Sequence, residues 1–385
     1  MSIKNPLEQL TLDELRTRSS EKWRAYPPDV LPTFVAEMDV ALAEPVVRAL
    51  TDAVRRGDTG YPSGTAYAEA LAGFASRRWG WDGVDVGRST MAADVMTGLS
   101  EVITLVTEPG SVVVVNPPVY PPFYAFVRKT GRQVVEAPLG DDGRLDTEQL
   151  GAAFERAAAT GKPVALLLCN PQNPTGVAHT ADELASVARL ATEHGVRVVV
   201  DEIHAPVVLD GATFTPYLSV SGSADAFAVM SASKAWNLAG MKAAVVLAGR
   251  DAAKDLARMP QTVLHGVSQL GVVGHSAALR EGDEWLDAVL AGLAANRDHL
   301  AAELDRRLPA VRLQRPEATY LAWLDCRGLD LGDDPARPFL ERGRVAVGSG
   351  LPFGAGGAGH VRLTVATSRA ILSEIVERMA VGADS

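Results

Sequence analysis

Val196-Arg-Val-Val-Val-Asp201-Glu-Ile-His204 decides the fold: a short run of branched apolar residues that stops on a carboxylate. Residues 112–115, 164–168, 226–230 and 243–247 repeat the apolar run, the pattern of strands covered on both faces. Between them lie amphipathic stretches. The one from Thr180 to Glu193 opens with a Thr-x-x-Glu capping box, Thr180-Ala-Asp-Glu183, and stops at His194-Gly195. This alternation, from about residue 90 to 250, predicts an α/β fold with a mostly parallel sheet sandwiched by helices. Sheets of that kind carry their sites at the carboxyl ends of the strands.

Three motifs begin where apolar runs end. Asn170-Pro-Gln-Asn-Pro-Thr-Gly176 follows 166–169, Asp201-Glu-Ile-His204 follows 198–200, and Ser231-Ala-Ser-Lys234 follows 226–230, so all three are expected on one rim. Lys234 is the most informative residue among them. A protonated amine is a poor nucleophile, so a lysine that condenses with a carbonyl sits where burial or a neighbouring cation lowers its pKa. Small and hydroxyl residues after an apolar strand suit such a place. As an isolated pattern, Ser-x-Ser-Lys describes a surface lysine equally well, and the order of the three motifs is what argues against that reading.

Composition narrows the function classes. The 385 residues are 47% hydrophobic and 22% charged, which suits an ordinary globular protein with a sizeable core. A formal net charge of −10 argues against a nucleic-acid or anionic-membrane footprint. Cys169 and Cys326 make neither a disulfide framework nor a zinc site, and no metal is expected. The first residues lack an apolar leader-like core and no run approaches the ~18 apolar residues that span a bilayer, so a cytoplasmic enzyme is the expectation. Residues 46–281 are expected to form a large domain. Residues 1–45 and 282–385 are expected to form a smaller α+β domain, with a long helix over 285–308, strands near 320–324 and 361–365, and a closing helix near 370–379.

These motifs, with Asn237-Leu-Ala-Gly240, Asn116-Pro-Pro-Val-Tyr-Pro-Pro-Phe123, Phe34-Val-Ala-Glu-Met-Asp39, Thr319-Tyr-Leu-Ala-Trp-Leu324 and Val361-Arg-Leu363, resemble the fold-type I enzymes that use pyridoxal 5'-phosphate (PLP). Within that superfamily the chain resembles most the MalY/PatB branch of cystathionine β-lyases, or carbon–sulfur lyases, along nearly its whole length. The resemblance implies a seven-stranded-type sheet, and Lys234 as the Schiff-base lysine. It implies Asp201 facing the pyridine nitrogen, which keeps the ring protonated as an electron acceptor. Asn173 would donate to the cofactor's phenolic oxygen, and Tyr120 would stack on the ring. Phosphate calls for amides at a helix start, hydroxyls and a cation. Thr97, Gly98 and Leu99, opening a helix over 98–107, fit the first need, Ser231 and Ser233 the second, and Lys242 the third, where many relatives carry arginine.

Arg362 resembles the arginine that grips the substrate α-carboxylate, with Arg369 as its nearest rival. Tyr61 resembles the tyrosine that relatives send across a dimer interface to the neighbour's phosphate, which implies a homodimer with a shared active site. His204 is placed to orient Asp201 or approach the phosphate, and reads equally well as a core histidine. Glu37 stands where the branch usually has aspartate, which bears on which side chain is accepted. Gly354-Ala-Gly-Gly-Ala-Gly359 precedes a strand instead of joining strand to helix, so it reads as a flexible lid-edge loop, not a dinucleotide loop.

By this resemblance the chain carries out α,β-elimination on an L-cysteine S-conjugate or cystathionine, releasing a thiol, pyruvate and ammonia. Transamination of a small-molecule L-amino acid uses the same residues and is the alternative. A regulatory binding partner built on the same fold is a third reading, which the intact set of Lys234, Asp201, Asn173 and Arg362 disfavours.

Overall fold

A computed structural model describes residues 3–384. Among the described residues, thirteen strands form three sheets. In chain order they are β1 (Leu31–Pro32), β2 (Ser89–Ala92), β3 (Val112–Val115), β4 (Gln133–Glu136), β5 (Val164–Cys169), β6 (Val196–Asp201), β7 (Phe227–Met230), β8 (Ala244–Ala248), β9 (Arg312–Gln314), β10 (Leu321–Asp325), β11 (Val345–Ala346), β12 (Gly348–Ser349) and β13 (His360–Thr364).

The largest sheet has seven strands in the order β2-β8-β7-β6-β5-β3-β4. Every pair from β7 to β4 is parallel, while β8 runs antiparallel to both of its neighbours. Its five inner strands are the runs expected from the sequence, and four of them are buried at every position. The fifth, β6, exposes only Arg197 in part. Apolar residues on both faces feed two separate cores. Val113, Leu167 and Val229 pack on one side with the helix Val95–Val106, and Val114, Leu166 and Val198 on the other with the helices Thr147–Ala158 and Ala181–His194.

Local signals set the helix ends. Thr180 and Glu183 form the reciprocal capping box, and Gly195, at φ 66°, ends that helix in the left-handed region that glycine enters freely. The two edge strands β2 and β4 carry no long apolar run, and sequence reasoning missed both.

A second sheet, β12-β13-β10-β9, is antiparallel throughout, and β1 pairs in parallel with β11. The chain segment after β1 therefore lies beside this part of the molecule, where Asp39 N–H donates to the Ala366 carbonyl. The long helix spans Asp283–Arg307 and the closing one Arg369–Ala383.

Candidate active site

Strands β5, β6 and β7 run in the same direction and end together, so Asn170, Asp201 and Ser231 reach one edge. A cavity of about 140 Å³ opens there, lined by Tyr120, Asn173, Asp201, His204, Ser231, Ser233, Lys234 and Lys242 among others. The rim expected from the three motifs is thus a single pocket.

Asp201 is the last residue of β6 and is buried. Its Oδ1 accepts the Ile203 N–H at 3.0 Å. Burial pushes its carboxyl up to about 7, against the opposite pull of the Ile203 amide and of Lys234. Lys234 donates from Nζ to the Ala36 carbonyl at 2.9 Å. Burial and then the positive charge of Arg362 bring its ammonium down to about 8, while Asp201 and Glu37 oppose the fall. His204 is held neutral in the same way: burial, then Lys234 and Arg362, lower it to about 3. Its Nδ1 is buried without a partner among the described residues, and its ring meets Tyr320 edge-on at 5.8 Å.

The opposite end of the cavity differs from expectation. The helix there spans Val95–Val106, starting three residues before 98, because Asp94 caps it: the Thr97 N–H donates to Asp94 Oδ1 at 2.8 Å. The Gly98 N–H is taken by the Asp94 carbonyl, and Leu99 is buried in the core. Thr97, Gly98 and Leu99 therefore do not line the pocket. Val95 and Met96 do, and in the first turn their amides have no intrahelical acceptor. The signal was present in the sequence, since an aspartate directly before an apolar helical run is a preferred cap.

Lys242 lies at the rim, its Nζ 2.9 Å from Asp94 Oδ2. Burial pushes the Asp94 carboxyl up, but the Thr97 amide and Lys242 outweigh that and hold it below the usual carboxylate range. Ser231 Oγ donates to the Ala243 carbonyl at 2.8 Å and accepts the Ser233 N–H at 3.2 Å, so its one proton is committed within the loop. Ser233 keeps its hydroxyl for a ligand.

Arg362, on β13, is buried behind Asn173. One guanidinium nitrogen donates to Asn173 Oδ1 at 3.2 Å and another to the Phe34 carbonyl at 2.7 Å, while Cζ lies over the Phe353 ring, 5.2 Å from its centroid. With the Asn173 oxygen occupied, its amide N–H pair is what remains to offer a ligand. Arg369 is exposed at the start of the last helix and takes no part in the pocket. Tyr61 is 87% exposed and lies outside the cavity of its own chain.

Glu37 accepts the Ser20 hydroxyl at 2.5 Å. Its segment is fastened to the lysine loop by Asn237, which exchanges hydrogen bonds with Met38 N–H and carbonyl at 2.9 and 3.0 Å. Sequence reasoning missed what anchors this segment from behind, a buried pair of Lys22 Nζ and Asp39 Oδ2 at 2.8 Å. The glycine-rich loop is less free than expected. Phe353, just before it, accepts the Val119 N–H at 3.0 Å, and Gly354, at φ 88°, leaves no room for a Cβ, which would run into the Tyr124 hydroxyl.

Chemically, the pocket joins a lysine amine of lowered basicity, a buried carboxylate, an aromatic face, and an end rich in donors to anions. A family model described as aminotransferase class I and II matches residues 37–379. A Mycobacterium leprae protein provisionally named cystathionine beta-lyase is 56% identical, over 97% of each chain. The cystathionine beta-lyase of Corynebacterium glutamicum is 35% identical over 96% of this chain and 98% of its own. The crystal structure of a protein from Corynebacterium diphtheriae, provisionally titled a PLP-dependent beta-cystathionase, superposes with a TM-score of 0.90 at 35% identity, covering 96% of this chain and 97% of the other.

Proposed function

This chain belongs to the class I and II aminotransferase family, and from that premise we propose that it is a PLP-dependent carbon–sulfur β-lyase acting on cystathionine or another S-conjugate of L-cysteine. The observation that carries the reading is that one cavity is lined by both Lys234, lowered to about 8, and Asp201, raised to about 7.

The residues present suit the cofactor. The Asp201 carboxyl is poised to keep a ring nitrogen protonated, and the Asn173 amide is free for a phenolic oxygen. Tyr120 offers a stacking face. The Val95 and Met96 amides, the Ser233 hydroxyl and Lys242 would hold the phosphate. Once bound, the cofactor supplies an electrophilic carbonyl and a sink for the electron pair left at the substrate Cα.

The protein's own groups do the rest. Arg362 takes the α-carboxylate through its planar fork, with Asn173 and the Phe34 carbonyl fixing the guanidinium. Lys234, unprotonated in a useful fraction near neutral pH, removes the Cα proton. The carbon–sulfur bond breaks with its electron pair on sulfur, and the thiolate leaves. The three-carbon remainder takes up water to give pyruvate and ammonia. Ala36, whose carbonyl receives the Lys234 N–H, keeps the amine beside the cavity between proton transfers.

A homodimer and a cytoplasmic location are part of this proposal. The first is supported by Tyr61, exposed in the single chain as a residue serving a neighbouring site would be. The test is direct: pyruvate and thiol appear together when PLP-loaded protein meets cystathionine or an S-alkyl cysteine, and both vanish in Lys234→Ala. A keto acid formed only in the presence of an amino acceptor, without thiol, refutes elimination.

A further inference from the structure

We propose that Tyr67 and His275, two buried residues on the far side of the lysine loop from the cavity, are positioning residues that set Ser233 and Lys234 by gripping the Ala232 amide. The functional meaning of this grip rests on the reading just given. Tyr67 is 1% exposed in the helix Ala66–Trp79, and His275 is 0% exposed in the helix Gln269–Glu281. The Ala232 N–H donates to the Tyr67 hydroxyl at 3.1 Å, and that hydroxyl lies 2.9 Å from His275 Nδ1.

A phenol has one proton. Accepting from Ala232, Tyr67 donates to Nδ1, which puts the imidazole proton on Nε2. Burial lowers His275 to about 4, against the carbonyls of Leu238 and Met241, and raises Tyr67 to about 12, so both stay neutral near pH 7. The donor and acceptor roles are therefore constant over the working range.

Ala232 stands between Ser231 and Ser233 and two residues before Lys234. The same helix backs the loop further along. The Ser268 N–H donates to the Lys242 carbonyl at 2.8 Å, and a Cβ at Gly271 would lie 3.0 Å from that same oxygen. From the cavity side the loop is held by Ala36 on Lys234 and by Met38 on Asn237. The loop is thus gripped from both sides, and on the far side its first turn depends on one phenolic oxygen.

Tyr67→Phe keeps the ring and removes that oxygen, leaving a buried N–H without a partner. Three readouts apply to full-length protein. They are amide exchange over residues 228–240 with and without PLP, the PLP dissociation constant, and the pH midpoint of the visible absorption of bound cofactor. The expected result is exchange faster by roughly tenfold or more, several-fold weaker PLP binding and a shifted midpoint. His275→Gln, which keeps an acceptor for the phenol, should stay near wild type, and His275→Ala should follow Tyr67→Phe. Unchanged exchange overturns the proposal, and so does faster exchange with dissociation constant and midpoint unmoved. If Tyr67→Phe does not fold, the contrast between His275→Gln and His275→Ala decides, and equality of the two overturns it. Wild type that takes up no PLP sinks the functional reading instead, while exchange still reports on the grip.

Discussion

Asp201→Asn should make the cofactor-free protein more stable while abolishing its activity, and the size of the gain should depend on pH. The carboxyl is raised in the folded protein from its ordinary 3.8 to about 7, with burial as the main cause. Between those values the unfolded chain releases its proton and the folded chain keeps it, so unfolding is favoured progressively as pH rises. The penalty is absent below 3.8 and complete above 7. Each unit between the two is worth about 1.4 kcal/mol, which gives a ceiling of about 4 kcal/mol. Asparagine has the shape of the protonated acid and can still accept the Ile203 N–H through Oδ1. The gain should fall short of that ceiling, because Lys234 loses a nearby anion that favours its charged form. Urea unfolding of apoprotein at pH 4 and pH 8 measures it. The variant should match wild type at pH 4 and exceed it by about 2–4 kcal/mol at pH 8. A gain of equal size at both pH values, or a loss at pH 8, would refute the account of Asp201 as a carboxylate whose charge the fold opposes.

Other substitutions test other parts. Arg362→Lys keeps the charge but loses the fork, and KM for an S-conjugate should rise about tenfold or more while kcat changes less; steady-state pyruvate release reads both. Lys22→Met leaves Asp39 buried and unpaired, which should destabilise by about 3–5 kcal/mol in urea titration. A loss under about 1 kcal/mol would mean that water reaches the pair. Gly98→Val adds a side chain whose Cβ alone would lie 3.0 Å from Val229 and 3.1 Å from Val246; overpacking of about 2–3 kcal/mol is expected and would show in the same assay.

Much of the site could be read from the chain because its chemistry is local. Asp201 and Ser231 were placed by the runs that precede them, since a strand of known direction delivers its last residue to a known edge. Lys234 and Asn173 followed within a few residues of those ends. The helix starts at Val95 and not at 98 because the Asp94 cap takes the first turn, which places Thr97-Gly98 inside the helix. β2 and β4 leave no signal in the sequence because an edge strand of four residues needs no apolar pattern when its partner supplies the hydrogen bonds.

By itself the sequence determined the alternation of strand and helix, the caps, and the order in which lysine, carboxylate and asparagine arrive at one rim, because periodicity and hydrogen-bonding side chains act over a few residues. Only the tertiary structure decided in which direction the lysine and the carboxylate shift from their ordinary titration. It buried Asp201 and brought a half-buried Lys234 into the same cavity, set Arg362 behind Asn173, closed the pair of Lys22 and Asp39, and brought Tyr67 and His275 to the back of the lysine loop. Those effects depend on desolvation and on contacts between residues up to 328 positions apart, and no local pattern along the chain encodes them.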